Sequence, residues 1–300
     1  MRDVSAKVSS LRTAKARAVL VVHPDTILAM REGRVPKGDP LPVARIAAIQ
    51  AVKNTPQLIA YCHTVPIDFV GVEFEVSDNE IAVEVSVKSI YKTGVEMEAM
   101  AGAMVAVLNL YDILKMIDDT MEVRTVTLVE KTGGKSNFDS KPGWNFGVIV
   151  VSDGVSAGAR IDESGEVLRR RLTELGGQNL EFAVVPDDPE TIREICERWC
   201  SPEMQLVVLT GGTGLGPRDS TPEALAGLFT KTLTGVVDQI HSYGNSRLPF
   251  AMLSRVQAGL VGETVVIALP GSVGAVNDAV DALFPYLTHA FDIVRGGGHP

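Results

Sequence analysis

Residues 210–223 read TGGTGLGPRDSTPE and follow directly on the apolar run QLVVLT at 205–210. Four glycines in the six positions 211–216 would weaken any helix or strand, because glycine loses more backbone freedom on ordering than any other residue. The stretch therefore reads as strand, loop and helix start. Ser220 and Glu223 have capping-box spacing, and Pro222 suits a first helical turn, where its missing N–H costs nothing. The bare N–H groups of such a loop converge on one point and form a nest for phosphate. No GK[ST] follows, and the glycines do not fit G-x-G-x-x-G, so the common nucleotide-binding folds are disfavoured.

Working outward, FGVIVVSDG from Phe146, LEFAVVPDD from Leu180 and ETVVIALPG from Glu263 repeat the pattern of a short, nearly continuous apolar strand. Helical segments such as SGEVLRRRL and PETIREICERW lie between them. Strands buried on both faces, with helices between, imply an α/β doubly wound, mainly parallel sheet. Ligands of such sheets bind beyond the carboxyl ends of the strands. Those ends carry Ser152-Asp153-Gly154, Asp187-Asp188, Gly211-Gly212 and Pro270-Gly271. Asp187 and Asp219 beside an anion nest imply a Mg²⁺ that bridges them to phosphate. From spacing alone, a plain glycine turn with a solvated Arg218–Asp219 pair is the alternative.

With 300 residues, the chain is long enough for two domains, and 45% hydrophobic against 22% charged residues describes folded halves. The best boundary is GGKSNFDSKPGWNFG from Gly133, cut near Lys141 into 1–141 and 142–300. The first part has 17 Lys and Arg against 18 Asp and Glu, the second 11 against 19, so the acidic excess lies in the second. In the first, RAVLVV reads as a strand and GDPLPVARIAAIQAVKNTPQLI as a helix. VGVEFEVS and IAVEVSVKSI form a hairpin turning at Asp78-Asn79; a long helix from Glu96 and the strand RTVTLVE follow. This order is that of an α+β ferredoxin-like sandwich.

The acidic balance and 5% aromatic content disfavour nucleic acid as a partner. The N-terminus lacks a signal peptide's apolar core, and the apolar stretch from Ala99 is broken by Asn109, Asp112 and Lys115. The expectation is a cytoplasmic protein without a membrane span, its apolar helix buried at a subunit contact. Cys62, Cys196 and Cys200 lack CxxC spacing and imply neither a disulfide framework nor structural zinc; Cys196 and Cys200 read as packing.

The first part carries a second polar constellation. Lys37, Lys53, Lys92, Lys131 and Lys135 lie mostly beside glycine or at element ends, where they can meet a polyphosphate without burial. Asp112 and Lys115, three apart, share a helix face. They read either as a surface ion pair or as a partly buried pair that holds Lys115 as a proton donor or acceptor. His63 alone is more often structural than catalytic, and Glu96 and Glu98 suit a helix start.

Two resemblances add to this reading. TGGTG, RDSTPE, VPDD, the run from Ser152 and the LSR…LPG pair resemble the molybdopterin adenylyltransferase family over about residues 145–295. The likeness implies attack of the pterin's terminal phosphate on ATP with Mg²⁺. Asp187 and Asp219 would bind metal and act in catalysis, and Gly211, Gly212, Thr213 and Gly214 would cradle phosphate. Ser220 stands where that family usually has Val, and Gly154 where it often has Arg, a lost phosphate contact. From DVSAK to KTGGKS the chain resembles cyclic pyranopterin monophosphate synthase, which rearranges a cyclised dihydro-GTP and expels diphosphate. By position, Asp112, Lys115 and Lys37 would be its catalytic residues. Tyr61, Cys62, His63, Met97 and Glu98, with Lys53 and Lys131, would contact substrate. Thr64 departs from the usual CHP motif. Together the resemblances imply a bifunctional molybdenum cofactor enzyme acting on pterin and nucleotide substrates as a homo-oligomer, hexamer or trimer. The rival is a second half that binds molybdopterin, or mediates oligomerisation, without catalysis.

Overall fold

Alternation in SLRTAKARAVLV produces a twelve-residue strand, β1 (Ser10–Val21), whose Ala14, Ala16, Ala18 and Leu20 point inward. It begins well before the expected RAVLVV, because small alanines fill the inward positions and weaken the apolar signal. There follow α1 (Pro24–Arg31), α2 (Pro40–Leu58), β2 (Phe69–Val76), β3 (Glu80–Tyr91), α3 (Glu96–Leu114) and β4 (Glu122–Thr132). Helix α1 is an element beyond those expected from the sequence. Asp39 caps α2 by accepting from the Leu41 N–H at 3.1 Å.

The sheet runs β2-β3-β1-β4, with every pair antiparallel. The two long helices pack together over its inward face. At Gly102 a Cβ would lie 2.7 Å from Val52 and 3.1 Å from Val85, so only glycine lets α3 come this close. By length and composition α3 passes as a membrane span. Yet Ala99, Gly102, Ala103, Ala106, Val107 and Leu110 are buried in this unit's core, while Met97, Met104, Leu108 and Asp112 are exposed.

The computed structural model describes residues 1–134 and 142–298. It divides into two units, Met1–Asn137 and Phe138–Pro300. Lys135 and the expected cut near Lys141 lie outside the described residues.

The second unit contains β5 (Trp144–Val151), α4 (Asp153–Ser156), α5 (Ser164–Glu174), β6 (Gly177–Val185), α6 (Pro189–Trp199), β7 (Leu206–Thr210) and α7 (Thr221–Leu225). After these come β8 (Lys231–Thr232), α8 (Thr234–Asn245), β9 (Gln257–Val261), β10 (Thr264–Leu269), α9 (Val273–Leu283) and α10 (Thr288–Val294). The sheet order is β6-β5-β7-β10-β9-β8. The first four strands are parallel, as the apolar runs imply, but β9 and β8 add an antiparallel edge that makes the sheet mixed. Alternate residues of β5, β7 and β10 feed two cores. Phe146, Val148, Leu206 and Val265 face one; Ile149, Val207, Leu209 and Val266 face the other. Helices cover both, so the strand ends open together at one rim.

Candidate active sites

In the first unit, α2 and α3 run antiparallel, so the residues just before α2 meet the end of α3. Lys37 Nζ donates to Asp112 Oδ2 and to the Asp112 carbonyl, each at 3.0 Å, and Lys115 Nζ lies 2.7 Å from Asp112 Oδ1. The hydrogen bonds from Lys115 and then Lys37 hold the Asp112 carboxyl down to about 2, and Asp112 in turn raises Lys115. The trio is exposed, with 40% of the Lys37, 56% of the Asp112 and 54% of the Lys115 side chain accessible in the chain alone. Of the two readings of the pair, this is the surface ion pair and not the partly buried one. The Asp112 contact favours the charged form of Lys115.

The other expected substrate residues gather at the opposite end of α3. Glu98 is buried, and burial, with Glu96 adding, pushes its carboxyl up. Cys62 is raised by burial and by the Glu98 charge. His63 Nε2 pairs with the Arg2 carbonyl at 2.8 Å, while Tyr61 and Met97 are exposed. Lys131 reaches Glu96 at 3.3 Å, and Lys53 stands exposed on α2. Fourteen residues of helix separate Glu98 from Asp112, roughly 21 Å at 1.5 Å per residue. One chain thus holds the expected residues in two groups, at opposite ends of α3. Arg12, missed in the sequence, is nearly buried; it donates to the Tyr91 carbonyl at 3.1 Å and lies against Gly134 of the KTGG turn.

In the second unit, β7 ends in the glycine loop. The N–H groups of Gly211, Gly216, Asp219 and Thr221 are taken by Leu269 O, Asp219 Oδ2, Gly216 O and Gly212 O. Those of Gly212, Thr213, Gly214 and Leu215 have no acceptor among the described residues, a run of four free donors. The expected capping box is absent. Ser220 makes no cap, its Oγ is buried without a partner, and Glu223 instead pairs with Arg255. Thr221 Oγ1, donating to Gly211 O at 2.9 Å, holds the helix start in its place.

Both expected carboxylates reach this loop. Asp187 Oδ1 is 2.9 Å from the position a Cβ on Gly212 would take, and Asp219 Oδ2 is 2.7 Å from that on Gly214. Asp153 completes the group: Asp187 Oδ2 accepts the Asp153 N–H at 2.9 Å, Asp153 Oδ1 accepts the Asp187 N–H at 3.0 Å, and Arg218 forks onto Asp153. Burial first, then the Asp153 and Asp219 charges, raise the Asp187 carboxyl. Oxygens of Asp187 and Asp219 remain without a protein donor, a set that fits a hard cation held by one or two carboxylates plus phosphate oxygens. Among the described residues no three ligating side chains form a metal group by themselves.

Arg255, the last residue of the LSR motif, holds the loop from behind. Its Nε donates to Gly214 O at 2.8 Å, its Nη2 to Asp219 O at 2.9 Å, and its N–H to Thr213 O. It turns the loop carbonyls away so that the free N–H groups face outward. At Gly154 the space of a side chain is filled by Arg160, whose Cδ is 3.2 Å from where a Cβ would lie.

Comparisons with known proteins agree with this division. A sequence profile of the MoaC family matches residues 1–134, and one described as "Probable molybdopterin binding domain" matches residues 147–289. A molybdenum cofactor biosynthesis bifunctional protein of Chlorobaculum tepidum is 41% identical over 300 residues, covering 100% of this chain and 96% of that one. A cyclic pyranopterin monophosphate synthase of Geotalea uraniireducens is 47% identical over 138 residues, 45% of this chain and 86% of its own. The crystal structure of the molybdopterin biosynthesis enzyme MoaB from Thermus thermophilus is 34% identical, with a TM-score of 0.48 over 51% of this chain and 98% of that one.

Proposed function

The chain belongs to the bifunctional molybdenum cofactor biosynthesis proteins, and from that premise we propose a division of labour between its two units. Residues 1–141 form cyclic pyranopterin monophosphate and expel diphosphate; residues 142–300 adenylylate molybdopterin with Mg-ATP. The antiparallel β2-β3-β1-β4 order under two helices supports a ferredoxin-like description of the first.

The observation that carries the first activity is the Lys37–Asp112–Lys115 trio. Lys115, kept charged by Asp112, delivers a proton to the rearranging ring, while Lys37 fixes Asp112 and meets the triphosphate. Glu98, Cys62 and His63, roughly 21 Å along the helix, cannot touch the same small substrate from the same chain. A site completed by a second subunit reconciles the two groups and supports a homo-oligomer, hexameric or trimeric.

For the second activity, the carrying observation is the run of four free N–H groups at 212–215. They bind phosphate oxygens where charge builds up during nucleotidyl transfer. Asp187 and Asp219 would hold Mg²⁺, which when bound supplies charge neutralisation for the phosphates. Arg218, poised on Asp153, orients that carboxylate. The test incubates the protein with molybdopterin and Mg-ATP and follows adenylylated product by mass spectrometry. Wild type yields product and Asp219→Ala does not. Molybdopterin bound without turnover would refute adenylyl transfer and leave a pterin-binding module.

A further inference from the structure

A cavity of about 670 Å³ opens beside the glycine loop, at the carboxyl ends of β5, β7 and β10. Ser152, Ser164, Thr210 and Ser272 line it with hydroxyls, and Arg160 and Asp162 also line it. Gly271 on its wall packs on Gly211, a Cβ there falling 3.2 Å from the Gly211 Cα, so cavity and loop adjoin. The eleven-residue helices α5 and α9 both begin at its wall, and their N-terminal partial charges favour an anion there.

Arg160 is the distinctive feature. Its stem runs over bare Gly154, with Cγ 3.5 Å and Nε 3.7 Å from the position of the missing Cβ. Its guanidinium has no hydrogen bond or ion pair among the described residues. Asp162, on the same wall, makes no direct ion pair with it. Asp162 Oδ1 accepts from the Gly165 N–H at 2.9 Å and from Ser164 Oγ at 3.4 Å, and Oδ2 is buried without a partner. Glu163 is exposed on the cavity's wall and pairs with nothing among the described residues. A fork of donors at a hydroxyl-lined cavity suits a phosphate group, which guanidinium binds in bidentate fashion.

We propose that Arg160 is the counter-charge for the phosphate monoester of the pterin, held in this cavity while the nucleotide phosphates occupy the glycine loop. Recognition of the anion follows from the cavity; its identity as a pterin rests on the function proposed above. Calorimetric titration of the full chain with molybdopterin, with ATP and with inorganic phosphate, for wild type, Arg160→Ala and Gly154→Arg/Arg160→Ala, tests it. Arg160→Ala should bind molybdopterin about tenfold or more weaker, one charge-assisted contact, with ATP affinity within about twofold. The double variant should recover affinity, because an arginine at 154 enters the space Arg160 vacates. Unchanged molybdopterin affinity in Arg160→Ala, or equal loss for both ligands, overturns the proposal. If wild type ignores molybdopterin yet shows Arg160-dependent phosphate binding, the anion site stands and the pterin reading fails; if it binds neither, both fail.

Discussion

Replacing Gly211 by alanine should cost the second unit far more than the loss of a glycine suggests. Gly211 has φ +106°, and its Cβ would stand 2.1 Å from the Val151 carbonyl oxygen. Holding alanine at that φ costs about 1–3 kcal/mol. The clash is with β5 backbone between β6 and β7, which cannot swing aside as a side chain would, and displacement of that kind adds roughly 1–3 kcal/mol. At about 2–4 °C per kcal/mol for a unit of this size, a total near 4 kcal/mol lowers the melting temperature by about 8–16 °C. Gly262, with φ +60° and nothing within 4 Å, controls for backbone strain, about 1–2 kcal/mol. Both tryptophans, Trp144 and Trp199, lie in the second unit, so thermal unfolding followed by tryptophan fluorescence reports this unit directly. Equal shifts for Gly211→Ala and Gly262→Ala would show that β5 yields, and refute the rigid-strand reasoning.

Three further outcomes are expected. Glu98→Gln should raise the stability of the first unit at pH 7, because the raised carboxyl is penalised when ionised; the gain shrinks as pH falls towards 4.5, and a destabilised variant at pH 7 by circular dichroism would contradict this. The Asp112 carboxyl is lowered, so its contribution is present above about 3.8 and lost as pH falls through about 2. The gap in urea midpoint between wild type and Asp112→Asn should therefore narrow steadily as pH falls from 4 to 2, and a gap that does not narrow would place the effect elsewhere. Arg255→Ala frees the carbonyls of Gly214 and Asp219; it should lower stability by about 2 kcal/mol and raise KM for ATP more than it lowers kcat, whereas a pure loss of kcat would argue against a loop-positioning role.

The parallel strands β5, β7 and β10 were legible because strands buried on both faces must be continuously apolar, and β6, though at the sheet's edge, shows the apolar run FAVV at its carboxyl end. The antiparallel strands β8 and β9 were not: two residues, Lys231–Thr232, carry no periodicity, and QAGLV is too short to distinguish from a loop. Ser220 had the spacing of a cap without its geometry: its backbone, at φ −132° and ψ 3°, is not the extended form of a capping residue, and its Oγ accepts no N–H from the helix start. Local chemistry alone thus placed the glycine nest, Asp187 and Asp219, and the three-residue pairing of Asp112 with Lys115, because strand ends and helix turns fix such neighbours at short range. Whatever depends on contacts between distant residues came from tertiary structure. Arg255 clamps a loop 41 residues earlier, Lys37 meets Asp112 across 75 residues, and Arg160 fills the gap at Gly154 because a turn folds it back. Sequence spacing carries no distance between such groups; only the packing of α3 on α2 and the order of strands in the sheet does.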